Sequence, residues 1–177
     1  HLGNINAMRA FFRSGEIVDD IKANLFLEAK QCQVFKNFIN SISSDNPITT
    51  YSVDNIDVTT SIEIKEKIDN GEILFIAGDR VSAHNENAMF ISDFLGQKMG
   101  FPIGAFKFAL ILDAPIYFIA CTLEKGGKYK IHLQKFDFFG TRKEKLQTLE
   151  TQYVQFLENL TKKYPLQLYH FYDFFLD

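Results

Sequence analysis

Apolar residues recur along the chain with two alternating patterns, and this alternation predicts an α/β protein. Spacings of three and four residues are typical of helices, and short continuous apolar runs are typical of buried strands. Helices are predicted at residues 4–13, 29–42, 59–69, 105–112 and 143–163, and strands at residues 23–27, 49–53, 72–77, 116–123 and 128–136.

The order of these elements predicts the architecture. Gly126-Gly127 separates two apolar runs and is typical of a hairpin turn, so one strand pair is expected to be antiparallel. Strands that alternate with helices favour parallel pairing. We therefore expect a mixed, mostly parallel central sheet flanked by helices in an αβα arrangement. Neither a linker nor a repeat interrupts residues 1–177, which predicts a single domain.

Composition narrows the possible functions. The chain has 177 residues with a formal net charge of −3, which argues against a general nucleic-acid binder. Cys32 and Cys121 form no CxxC pattern and fit a reducing compartment. The 19 Phe residues fit either a thick apolar core or a surface that meets acyl chains or a bilayer. The longest apolar stretch, residues 108–123, is interrupted by Asp113 and Pro115 and is too short to span a bilayer.

Two polar segments contain residues that could act in catalysis or bind a ligand. His1 opens the first predicted helix, and a carboxylate five residues later could orient it as a general base, but Asn6 stands there and brings no charge. A solvated terminal histidine is the alternative. Residues 78–82 follow a buried strand, and their Arg80 could bind a phosphate or carboxylate. A structural Asp79–Arg80 pair is the alternative there.

Three further features are less specific. Residues 101–106 lead into the start of a helix, whose free N–H groups could bind an anion. The alternative is that these residues only mark where the helix begins. His84 and Glu86 lack an evident third ligand, so no metal site is expected. Residues 125–145 include seven basic residues, which form either a solvated face or a surface for anionic headgroups or an acidic carrier protein.

Five sequence blocks occur in order, namely HLGNIN, IDNGEILFIAGDRV, FLGQKMGFPIGAFKFA, APIYF and HFYDFF. Together they resemble the predicted acyltransferases related to the late acyltransferases of lipid A biosynthesis, in the lysophospholipid acyltransferase superfamily. The resemblance covers nearly the whole chain. It implies that the N-terminal part of the family fold precedes His1 in a longer chain.

The resemblance also implies roles for individual residues. His1 matches the general base of the H-x-x-x-x-D/E motif and Asn6 occupies its acidic position, so Glu16 or Asp79 could supply a substitute acid. Arg80 is expected to help stabilise the oxyanion. The residues expected to contact substrate are Gly3, Asn4, Asp79, Phe101, Pro102, Gly104 and Pro115.

The implied activity is transfer of a fatty acyl group from an acyl-carrier-protein or coenzyme A thioester to a hydroxyl or amine of a lipid or glycolipid. It needs no metal and no cofactor besides the acyl donor. Such a bacterial enzyme is expected in the cytoplasm or at the cytoplasmic face of the inner membrane, in peripheral contact with it, without nucleic acid. Asn6 leaves an alternative, a catalytically impaired relative that binds acyl carrier, lipid or a partner subunit. A nucleotide- or metal-dependent enzyme has only residues 78–87 in its favour.

Overall fold

The computed structural model describes residues 22–28, 32, 48–53, 56–79, 81, 88–169 and 175–176. These residues belong to two compact units. The first, called here the parallel unit, comprises the described residues up to Ala77, and the second, the aromatic unit, comprises those from Gly78 onward. Apart from Cys32, which is helical, the helices predicted at 4–13 and 29–42 lie outside the described residues.

The parallel unit contains three of the predicted strands and one predicted helix. The strands pair in the order β2-β1-β3, and both pairings are parallel. Asn24 of the central strand is fully buried, and its side-chain amide donates a hydrogen bond of 2.8 Å to Glu72. The elements are β1 (Ala23–Leu27), β2 (Ile48–Ser52), α1 (Val58–Asp69) and β3 (Ile73–Phe75).

Helix α1 begins slightly earlier than its sequence pattern predicts. Its N-cap is Asp57, which has extended backbone angles and accepts a hydrogen bond of 2.7 Å from the backbone N–H of Thr60. A carboxylate at this position also interacts favourably with the positive end of the helix dipole. The helix ends at Asp69, before Asn70 and Gly71, as predicted.

The aromatic unit is built from two hairpins and two helices. Strands β4 and β5 pair antiparallel, as do β6 and β7. The turn between β6 and β7 contains Gly126 and Gly127, both with positive φ, so the predicted hairpin is confirmed. The elements are β4 (Met89–Phe94), β5 (Gln97–Pro102), α2 (Ile103–Ile111), β6 (Tyr117–Leu123), β7 (Tyr129–Lys135), α3 (Arg142–Lys163) and a short 3-10 helix (Pro165–Gln167).

The predicted α/β class is confirmed, but its sheet is not the one expected. Parallel pairing among the described residues is confined to β1, β2 and β3, and the remaining strands form two separate antiparallel pairs. The β4–β5 hairpin was not predicted at all. Its turn is Leu95-Gly96, and a leucine with φ of 53° gives no turn signal in the sequence.

Helix α3 contributes buried side chains to both core clusters of the aromatic unit. Phe94, Met99 and Phe101 of the β4–β5 hairpin are fully buried and pack in one cluster with Val154 and Leu157 of this helix. A second cluster joins side chains of α2, β6 and the segment after β7 to the first turns of α3. None of the helices in the described ranges is both long enough and apolar enough to cross a bilayer. The second cluster consists of Phe106, Phe118, Phe136 and Leu149.

Candidate functional site

Tyr153 of α3 is the centre of an aromatic cluster. Its ring centroid lies 4.9 Å from that of Phe118, 5.1 Å from that of Phe106 and 6.2 Å from that of Phe101. All three pairs meet edge to face, an arrangement that aromatic quadrupoles favour. Tyr153 therefore joins β5, α2 and β6 at one point.

The first two residues of the aromatic unit border this cluster. A Cβ atom built on Gly78 would lie 3.1 Å from Cζ and 3.2 Å from the hydroxyl oxygen of Tyr153, and 3.4 Å from Cζ of Phe106. Gly78 is therefore required by close approach rather than by an unusual backbone angle. Its neighbour Asp79 is 6% exposed, an unusual degree of burial for a carboxylate.

Asp79 and Tyr153 interact electrostatically. Desolvation by the surrounding protein raises the pKa of Tyr153 well above its usual value of 10, and the negative charge of Asp79 acts in the same direction. The phenol therefore stays neutral at physiological pH and retains a hydroxyl proton that it can donate.

The corner formed by Pro102 and Gly104 lies at the start of α2. Pro102 is the N-cap, and among the described residues no side chain caps this helix end. The backbone N–H of Ile103 donates to the carbonyl of Ala88 at 3.1 Å. Among the described residues, no side chain or more distant backbone atom lies within 4 Å of a Cβ atom built on Gly104. Phe101, just before the corner, is fully buried.

Glu150 lies one helical turn before Tyr153. Its Oε1 is buried and has no hydrogen-bond partner among the described residues. Desolvation raises the pKa of Glu150, and the positive charge of Lys107 on α2 partly opposes this rise. A carboxyl group that is desolvated in this way stays protonated at a higher pH than an exposed glutamate does.

The structure places several of the predicted site residues near one another, and it places Pro115 away from them. Asp79 and Phe101 both neighbour Tyr153, and the corner at Pro102 and Gly104 follows Phe101 directly in the chain. Pro115 is exposed and lies beyond the other end of α2, a helix about 13 Å long at 1.5 Å per residue. The remaining predicted residues, His1, Gly3, Asn4, Asn6 and Arg80, and the substitute acid Glu16, lie outside the described residues.

A groove of about 220 Å³ lies at the far end of α2 from the Pro102–Gly104 corner. Ala114, from the fourth sequence block APIYF, lines it. Phe106, Phe118 and Phe136, three of the 19 Phe residues, pack into a core cluster with Leu149, which fits the thick apolar core that the composition allows.

Sequence reasoning did not assign Tyr153 and Glu150 to the site. The spacing of Leu149, Tyr153 and Leu157 places Tyr153 on the apolar face of α3, as observed, but nothing in the pattern distinguishes a core tyrosine from one that is acted on by a carboxylate. A signal for Glu150 does exist. It follows Leu146 by four residues and precedes Tyr153 by three, so helical periodicity places a charged residue within the apolar stripe.

In the part of the chain that the structure describes, no three His, Cys, Asp or Glu residues are grouped so that they could hold a metal ion. Cys32 and Cys121 are both buried, and neither forms a disulfide. Neither a protein-family model nor a curated protein matches this sequence.

Proposed function

We propose that the chain is an acyltransferase, which moves a fatty acyl group from an acyl-carrier-protein or coenzyme A thioester to a hydroxyl or amine of a lipid or glycolipid acceptor. One observation carries the proposal. Gly78 and Asp79 belong to the second sequence block of the resemblance and Phe101 belongs to the third; Gly78 and Phe101 both border Tyr153, and the negative charge of Asp79 acts on its hydroxyl. Blocks that contribute to one site in an enzyme must meet in its fold, and these two do.

The reaction follows from the assigned residues. His1 removes the proton of the acceptor hydroxyl, and the oxygen attacks the carbonyl carbon of the thioester. The C–S bond then breaks, and the leaving thiolate takes the proton from His1. The products are an acyl ester and a free carrier thiol. Arg80 and N–H groups at the uncapped start of α2 stabilise the oxyanion that forms between these steps.

The proposal includes the fold and the setting. The parallel β2–α1–β3 arrangement supports a mostly parallel central sheet flanked by helices, as in the acyltransferase superfamily. A thioester is already activated, so the transfer requires neither a metal nor a further cofactor. A lipid acceptor brings the enzyme into peripheral contact with the cytoplasmic face of a bacterial inner membrane.

One feature of the sequence favours a second candidate. Asn6 stands where the motif requires an acid, and an amide cannot stabilise an imidazolium as a carboxylate does. The second candidate is therefore a catalytically impaired relative that binds an acyl carrier, a lipid or a partner subunit.

Restoring the acid tests the proposal. Thiol release from acyl-carrier-protein and coenzyme A thioesters is measured for the wild type and for Asn6→Glu, Asn6→Gln and His1→Ala. Asn6→Gln is the matched control, since it adds the same methylene without a charge. We expect Asn6→Glu to raise turnover by about 10²-fold or more, Asn6→Gln to leave it unchanged and His1→Ala to abolish it.

The outcomes separate the two candidates. Wild-type turnover that survives His1→Ala would overturn the general-base assignment. A donor that binds without being consumed, in the wild type and in Asn6→Glu alike, would favour the impaired relative.

The corner at the start of α2 has its own test. Gly104→Leu adds an apolar side chain at this corner, where the new Cβ meets no side chain of the described residues. We expect transfer to the acceptor to fall while the free energy of unfolding is kept or raised, because leucine is a better helix former than glycine. Unchanged transfer would show that the acceptor does not pass this corner.

A further inference from the structure

The groove of about 220 Å³ lies between the end of α2 and the start of α3 and combines two cations with an apolar floor. Arg142 and Lys145 are three residues apart on the first turn of α3, so they share one face of the helix. Leu110 and Phe138 form the floor, and both pack against the second core cluster. Packing against this cluster therefore holds Leu110 and Phe138 in place.

Neither cation is neutralised by a neighbouring carboxylate. Within the described ranges, Arg142 and Lys145 form no ion pair. Glu144 lies between them in sequence, but it accepts hydrogen bonds of 2.7 Å and 2.8 Å from the backbone N–H and the hydroxyl of Thr141 in a capping box. The ammonium of Lys145 instead lies 5.5 Å from the ring centroid of Phe138, a cation–π contact that holds it at the groove.

Asp113 supplies the third charged side chain of the groove. It follows α2 with a φ of 47°, a left-handed conformation that few residues other than glycine adopt. Its carboxylate forms no ion pair with Arg142 or Lys145, so the groove keeps an excess of one positive charge. A carboxylate in this place can accept a hydrogen bond from a hydroxyl or N–H group of a ligand.

We propose that this groove binds a phosphate monoester, with the phosphate between Arg142 and Lys145 and the esterified group against Leu110 and Phe138. The planar guanidinium of Arg142 matches two phosphate oxygens, and the ammonium of Lys145 adds a point charge. The volume equals about seven water molecules at ~30 Å³ each, which suits a phosphate with a small ring or a short chain. The site lies at the opposite end of α2 from the Pro102–Gly104 corner and does not depend on the proposed acyl transfer.

Titration of the full chain tests this site. Phenyl phosphate, inorganic phosphate and phenol are added to ¹⁵N-labelled protein, and dissociation constants are obtained from amide shifts in residues 109–114 and 138–145. The variant Arg142→Gln/Lys145→Gln removes both cations. Its matched control, Lys128→Gln/Lys130→Gln, removes two exposed cations from the β6–β7 hairpin. A parallel arm measures binding to phosphatidylcholine vesicles with and without phosphatidic acid.

We expect phenyl phosphate to bind more tightly than either inorganic phosphate or phenol, because it uses both the cations and the floor. Loss of both cations should weaken its binding by at least about tenfold, whereas the control should not weaken it. Preference for phosphatidic acid vesicles over phenyl phosphate would identify a lipid as the source of the phosphate, and the reverse preference would identify a soluble ester.

Two results would overturn the inference. Equal weakening by the control pair would show that only overall charge attracts the anion. Absence of binding, together with a lower free energy of unfolding in Arg142→Gln/Lys145→Gln, would show that these cations serve to offset the negative end of α2.

Discussion

Substitution of Gly78 by alanine tests the contact on which the candidate site depends. The new methyl group would lie 3.1 Å from Cζ and 3.2 Å from the hydroxyl oxygen of Tyr153, and 3.4 Å from Phe106. These distances are shorter than ordinary carbon contacts of about 3.5–4.0 Å, so the tyrosine ring must shift. The ring is held by three aromatic neighbours, which limits how far it can shift.

The expected magnitude follows from comparison with a second glycine. Overpacking a core by one methyl group costs about 1–3 kcal/mol. At Gly104 a methyl group would meet no side chain of the described residues, and Gly→Ala within a helix stabilises by about 0.5–1 kcal/mol. Both substitutions restrict the unfolded chain equally, so that contribution cancels in the comparison. We therefore expect Gly78→Ala to be less stable than Gly104→Ala by about 2 kcal/mol, or about 4–8 °C in Tm.

Urea unfolding followed by circular dichroism and by tyrosine fluorescence measures this difference, since the chain contains no Trp. Combining Gly78→Ala with Tyr153→Phe removes the contact at 3.2 Å and should recover part of the loss. If Gly78→Ala and Gly104→Ala unfold at the same urea concentration, Gly78 does not approach Tyr153. The convergence of the two sequence blocks would then be refuted along with it.

Three further substitutions test other features. Burial raises the pKa of Glu150, so the ionised carboxylate destabilises the folded protein above that pKa, and this destabilisation disappears as the pH falls below 4.5. Glu150→Gln should therefore have a higher free energy of unfolding than the wild type at neutral pH but not in acid. Urea unfolding at both pH values measures this difference. Leu95→Asn should stabilise the turn with Gly96 by up to about 1 kcal/mol, because asparagine tolerates positive φ better than leucine, and an unchanged Tm would contradict the turn geometry. Thr141→Ala should cost about 1 kcal/mol through loss of its capping contacts with Glu144, whereas Thr141→Ser should restore most of that stability in the same thermal scans.

The sequence pattern predicts best those elements whose local signals agree with their tertiary environment. Helix α3 has an apolar stripe through its whole length, and its predicted start at residue 143 differs from the observed Arg142 by one residue. The hairpin turn at Gly126 and Gly127 is equally explicit, since both glycines adopt positive φ. At the β4–β5 turn, by contrast, Leu95 adopts positive φ against its local preference. Pairing of the flanking strands decides that conformation, and no local pattern contains that information.

The residues of the candidate site show the same difference between local signals and long-range packing. The positions of Asp79 and of the corner at Pro102 could be predicted, because a strand end and a Pro-containing helix start are local features. The burial of Asp79, and the closeness of Gly78 to Tyr153, depend on how distant segments pack together. The same applies to Glu150, since periodicity shows that it lies in an apolar stripe but not that Oε1 lacks a partner.

The composition of α2 explains why the two candidate sites lie at its ends. Eight of its nine residues, in IGAFKFALI, are uncharged, and Phe106 and Phe108 are buried. A helix that is apolar around most of its circumference can offer polar groups only at its termini, where backbone N–H and C=O groups lack helical partners. In the part of the chain that the structure describes, its start has no side-chain cap and nothing packs on the Cβ position of Gly104. Its end leads through the left-handed Asp113 into the groove. Substitutions at the two ends should therefore affect acyl transfer and phosphate binding separately, and a variant at one end that impaired both would show that the sites are coupled through the helix.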